Sequence, residues 1–127
     1  MKRPPALSTG ATAVDGGPQA TANPRRERQR RIFAAVTALE RQGADVRPLV
    51  LEAVCERVID GPAPVPFRSI RGRVRADLGR FVPDRRVDGA LDRLVAAGFL
   101  TVVREADPAQ QRCRVWALGP LLGGGPR

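Results

Sequence analysis

Val82-Pro83-Asp84-Arg85-Arg86-Val87-Asp88-Gly89-Ala90-Leu91-Asp92-Arg93-Leu94-Val95-Ala96-Ala97-Gly98-Phe99-Leu100 is the stretch on which the fold turns. Asp84 is a residue type that caps helices. Val87, Leu91, Leu94 and Val95 then recur at helical spacing until Gly98 stops the run. At about 100° per residue, those apolar positions share one side, while Arg85, Gly89, Arg93 and Ala96 centre the other. The pattern predicts a helix over 84–97, buried on one face only.

Working outward, Arg80-Phe81-Val82-Pro83 makes a turn, and Ser69 caps an earlier helix with Ile70, Val74 and Leu78 on one face, ending at Gly79. Val65-Pro66-Phe67 is expected as a short extended piece, because prolines remove ladder donors. Before the break Gly61-Pro62-Ala63-Pro64, a helix over 48–60 buries Leu51, Val54, Cys55 and Val58. Downstream, Thr101–Arg104 and Arg112–Leu118 form two strands around a break at Ala106-Asp107-Pro108, whose residue types suit a hairpin. Cys113, Val115 and Ala117 alternate with Arg112, Arg114 and Trp116, and Trp116 is expected in the core. Upstream, Asn23-Pro24 opens a further helix over 24–43 with the apolar stripe Ile32, Phe33, Val36 and Leu39, closed by Gly43. Residues 1–23 and 123–127 are too poor in large apolar groups to offset their ordering entropy and are expected as disordered tails.

Composition narrows the chemistry. The 127 residues carry 22 basic and 13 acidic side chains, a net charge of +9, and only Lys2 is a lysine. Arginine favours planar, bidentate contacts to phosphates and base edges. Arginine, alanine, glycine and proline also use GC-rich codons, so net charge alone decides nothing. Its distribution is more informative. Residues 25–47 and 67–97 each carry four excess positive charges, whereas 48–66 is net acidic. The chain has no histidine, and Ser8 and Ser69 are its only serines, which excludes a Ser-His-Asp triad, a Cys-His pair and a histidine metal site. Phosphate-binding loops and dinucleotide fingerprints are absent. Cys55 and Cys113 are expected as two isolated buried cysteines, though a disulfide between them stays open, and no zinc ligand set exists. Neither a signal peptide nor the roughly 18 apolar residues of a membrane span is present, so a cytoplasmic, non-enzymatic, cofactor-free protein is expected.

The stretch 82–100, with its valine, two spaced leucines, glycine and two large apolar residues, resembles bacterial winged helix-turn-helix DNA-binding proteins of the GntR and MarR type. The resemblance covers about residues 49–118. It implies a mainly α fold with a small β-ribbon (α+β): a first helix at 48–60, a helix-turn-helix at 69–98 and a wing at 99–118. The helix at 24–43 is an addition to that unit. The turn after Gly79 is longer than is usual. Asp84 and Asp88 stand where GntR-type regulators carry arginines, so no subfamily is assigned.

The implied function is sequence-specific binding of double-stranded DNA in the nucleoid by a small transcriptional regulator. Arg85, near the N-terminus of the recognition helix, is the candidate for base edges, and Gly89 would let the helix axis approach a groove floor. Arg86 and Arg93 are the phosphate candidates, and Arg71 and Arg73 on the preceding helix are further DNA contacts. Arg112 on the wing is placed either to enter a minor groove or to touch phosphate. Asp84, Asp88 and Asp92 form an acidic stripe beside them, available to the preceding helix's arginines or to cytosine N4. Arg25, Arg26, Arg28, Arg30 and Arg31 form either a DNA-contacting arm or a solvated, partly frayed helix end. The helix at 24–43 is the candidate for a homodimer interface. Two other classes stay open: a plasmid or phage nucleoprotein or replication-partition factor, and a winged-helix module whose partner is a protein.

Overall fold

The computed structural model describes residues 23–124. All of the expected N-terminal tail but Asn23, and residues 125–127 of the C-terminal tail, lie outside the described residues. Among the described residues, four helices and a small antiparallel sheet make the expected α+β fold, with a third strand added to the expected two-stranded ribbon.

Helix α1, Pro24–Arg41, opens as expected: the Asn23 side chain accepts the Arg26 backbone N–H at 3.1 Å, and proline occupies the first helical position. The backbone is helical from Pro24 onward, and the basic residues lie on its first two turns. Helix α2, Arg47–Val58, is the centre of the molecule, packing against α1 and later elements from both ends of the chain. Val50, Leu51, Val54, Cys55 and Val58 are all buried and fall within about 140° of one side, with Ala53 buried beside them and Glu56 and Arg57 exposed.

Strand β1 is the pair Ala63–Pro64, earlier than the extended piece expected at Val65–Phe67. Phe67 instead begins helix α3, Phe67–Leu78. Pro66, in extended geometry, precedes that helix and its carbonyl accepts the Ser69 N–H at 3.0 Å, so Ser69 lies within the first turn and caps nothing. The helix stops at Gly79, whose positive φ of 69° is the left-handed cap that glycine adopts without strain. Helix α4, Asp84–Ala96, follows the turn. Asp84 is its first helical residue and makes no side-chain cap bond, Pro83 being the capping position. Val87, Leu91 and Leu94 are buried as predicted, together with Ala90. Each fully buried leucine or valine is worth roughly 1.5–3 kcal/mol, which fixes the rotation of this helix about its axis.

Strands β2, Leu100–Arg104, and β3, Val115–Leu118, pair antiparallel, with β1 on the other side of β3. Proline is tolerated in β1 because it is an edge strand. Ala63 and Val102 both pair with Trp116, which is 1% exposed at the middle of the sheet. Val103 is the extra residue of a bulge, turned outward. The hairpin loop closes through reciprocal backbone hydrogen bonds between Asp107 and Arg112 (2.8 and 2.9 Å), around a 3-10 turn at Pro108–Gln110. After β3, a Cβ at Gly119 would collide with the backbone of Gly98 and Phe99, so only glycine fits. Leu122 of the 3-10 turn Pro120–Leu122 is buried, and that turn packs on α1.

Two expectations about packing are corrected. Phe33, expected in the apolar stripe of α1, is not buried within the protomer. It is 73% exposed, while Ala35 and Leu39 are buried and Ile32 and Val36 are half-buried. At 3.6 residues per turn, Phe33 lies about 120° round from Leu39, at the exposed wall of the groove between α1 and α2. The cysteines are free, and only Cys55 is buried; Cys113 is half-buried near the root of the hairpin loop. Burial, and secondarily the charges of Glu52 and Glu56, push the Cys55 thiol up to about 12, so it packs as an inert apolar group.

Candidate nucleic-acid interface

The buried side of α4 dictates what its other sides present. Arg85, Gly89, Asp92 and Ala96 lie opposite Val87, Leu91 and Leu94. None of these four side chains is buried. The two flanks differ in charge. On one, Asp84 and Asp88 face α3 and the hairpin: Asp84 accepts hydrogen bonds from Arg71 (3.2 Å) and Arg75 (3.2 Å). Asp88 lines a cleft of about 260 Å³ with Ala106, Cys113 and Arg114. On the other, Arg86 and Arg93 face the corner between α1 and α2, where Arg86 Nη1 donates to Asp45 Oδ2 at 2.7 Å.

The arginines of the two neighbouring helices have different fates. Arg73 grips Glu56 with both terminal nitrogens, at 2.6 and 2.8 Å, and Asp77 with Nε at 3.0 Å. The Arg73 hydrogen bond is the main cause that holds the Glu56 carboxyl below its usual range, and the same pairing raises Arg73 further. Arg71 lies over the Phe67 ring and reaches Asp84. Arg75 donates from Nε and Nη2 to the buried Val82 carbonyl, at 3.0 and 2.8 Å, and stacks on Phe81 with 4.3 Å to the ring centroid. All three are built into the domain. Arg85 and Arg93, by contrast, are exposed and make no side-chain hydrogen bond or ion pair among the described residues.

Beyond its own helix's backbone and its chain neighbours, no atom of the described residues lies within 4 Å of where a Cβ on Gly89 would stand, so its outward side meets open space. Arg112 is exposed at the base of the hairpin loop and is likewise without a side-chain partner among the described residues. Its neighbour Arg114 is held by Glu105 at 3.0 Å and lies over Trp116. Most of the expected basic arm is engaged within the domain. Arg25 pairs with Asp60 at 2.9 Å, Arg28 donates to the Ile59 carbonyl at 2.7 Å, and Arg30 and Arg31 both bind Glu27. Only the Arg26 side chain is without such a partner among the described residues.

The structure thus brings Arg85, Arg86, Gly89 and Arg93 onto one surface and draws Arg71 and Arg73 into internal pairs. Two residues join that surface without a sequence signal. Asp45 and Arg47 lie in the α1–α2 corner, far from α4 along the chain, and no periodicity links them to it. Among the described residues no group of three potential metal ligands occurs, and no helix is long and apolar enough to cross a membrane. No protein-family model, curated protein or solved structure matches the chain.

Proposed function

We propose that this chain is a winged helix-turn-helix protein that binds double-stranded DNA sequence-specifically, as a small bacterial transcriptional regulator acting as a dimer. The observation that carries the proposal is the outward face of α4: arginines unpaired among the described residues, beside a glycine with open space above it, on a helix locked by its buried side. In this reading α3 and α4 are the helix-turn-helix and the β2–β3 hairpin is the wing. Arg85, in the first turn of α4, donates to guanine O6 and N7, while Arg86, Arg93 and Arg112 meet phosphates. Gly89 allows close approach to the groove floor. With Arg86, Arg93 and Arg112 of each protomer neutralising phosphates, log affinity falls against log salt with a slope of about −3 per protomer. An anisotropy titration across a salt series measures it, and a flat dependence overturns DNA binding altogether. A slope of that size with equal affinity for every duplex favours the nucleoprotein alternative.

The second copy docks on the groove between α1 and α2. Ile32, Phe33 and Val36 form its apolar wall, Arg25 and Gln29 lie at one end, and Glu40 and Glu52 at the other. A two-fold axis across the groove sets the Arg25 end of each copy against the Glu40 and Glu52 end of its partner, an isologous arrangement. Deleting α1 is a poor test, because Ala35 and Leu39 belong to the core. Phe33→Glu leaves the core intact and should convert dimer to monomer by sedimentation. A dimer that survives this change contradicts the interface.

A further inference from the structure

The cleft between the α1–α2 corner and α4 has a charge arrangement that DNA reading by α4 alone does not require. Arg47, Arg85, Arg86 and Arg93 line it, and Asp45 is the only carboxylate among its walls. Its volume is about 320 Å³, several times the roughly 30 Å³ that one water occupies in the liquid. Val46 and Ala90 beneath it are buried, so its two walls belong to packed elements and keep their spacing.

Resting on the DNA-binding reading above, we propose that this cleft seats a backbone phosphate at the edge of the groove that α4 enters, and that Asp45 stands in for that phosphate in the free protein. The Arg86–Asp45 contact of 2.7 Å has the length of a charge-assisted bond and marks a point where an anion already sits. Both partners are about half exposed, so water screens the pair and leaves it weak enough to exchange. Asp45 hydrogen-bonds to only one of the four arginines. A phosphodiester, with two charged oxygens at the mouth, accepts from Arg86 and Arg47 together and adds the field of Arg93. Guanidinium forks suit that geometry better than ammonium groups do. Arg47 is therefore a positioning contact that sets the register of α4 on the duplex. Asp45 is the internal competitor that lowers affinity for every sequence alike.

The test is anisotropy of a labelled duplex with the full chain and three variants. Arg47→Ala should weaken binding about fivefold on preferred and random DNA alike and lower the salt slope by about one. Asp45→Asn should tighten binding about threefold, an effect opposite to that of misfolding. Arg57→Ala, which removes the same charge from the far end of α2, should change affinity by less than about twofold. Arg47→Ala behaving like Arg57→Ala, or Asp45→Asn giving no gain, overturns the phosphate seat while salt-dependent wild-type binding still upholds the DNA reading. Absence of salt-dependent binding by the wild type overturns both. A parallel titration with inorganic tripolyphosphate identifies the source of the phosphate. Loss of tripolyphosphate binding in Arg47→Ala, with DNA binding intact, assigns the cleft to a free phosphate compound and overturns the backbone assignment.

Discussion

Helices α3 and α4 pack together, and by charge count α3 is the more basic. It carries Arg68, Arg71, Arg73 and Arg75 against Asp77 alone, whereas α4 balances three arginines with three aspartates. Geometry reverses the order. Arg71, Arg73 and Arg75 are held by Asp84, by Glu56 and Asp77, and by the Val82 carbonyl. On α4, Arg85 and Arg93 are unpaired among the described residues and face solvent. A guanidinium already paired must break that pairing to bind phosphate, and an unpaired one need not. In the proposed reading, what suits α4 to binding and α3 to bracing is the number of uncommitted arginines, not the number of arginines. Among the described residues these are Arg85 and Arg93 on α4 against Arg68 alone on α3.

That contrast breaks most visibly at Arg75. Its guanidinium supplies two hydrogen bonds to a buried carbonyl and fills the space between Val82 and Phe81. Arg75→Ala should cost about 2 kcal/mol of stability, because the Val82 carbonyl loses charged donors and the turn before α4 loosens. Urea denaturation measures it. A loss of DNA affinity with unchanged stability assigns Arg75 to the interface and erases the distinction between the helices.

A smaller effect sharpens the contrast at Gly89. Alanine has open space there, and a helix interior favours it by about 1 kcal/mol. Gly89→Ala should therefore raise the thermal midpoint while weakening DNA binding, because the added methyl stands between the helix and the groove. Unchanged affinity in the stabilised variant means that this face does not approach DNA closely.

The α4 face was legible because its apolar period and its closing glycine fix which side is buried, and the outward residues follow by subtraction. Local signals also found Asn23 as a cap and Gly79 as a stop. Pairing across elements was not legible. Nothing near Arg73 announces that Glu56 of α2 will hold it, and nothing near Arg47 announces that α4 will lie beside it. The exposure of Phe33 was hidden for a related reason. A stripe that includes it is compatible with helical spacing, and only the orientation of α1 on α2 shows that Ala35 takes the inward position. Ser69 misled because a capping residue type is as acceptable inside a first turn as before it.

The most direct test sets Arg85→Ala against Arg73→Ala in one anisotropy experiment. Each variant loses one positive charge from neighbouring helices, so non-specific attraction changes by similar amounts. Arg85→Ala should cost about 1–3 kcal/mol on a duplex enriched by selection from random sequence, and much less on random DNA. Arg73→Ala should weaken both duplexes by similar small amounts. Equal losses from the two variants on the enriched duplex, or a larger loss from Arg73→Ala, contradict the assignment of sequence reading to α4.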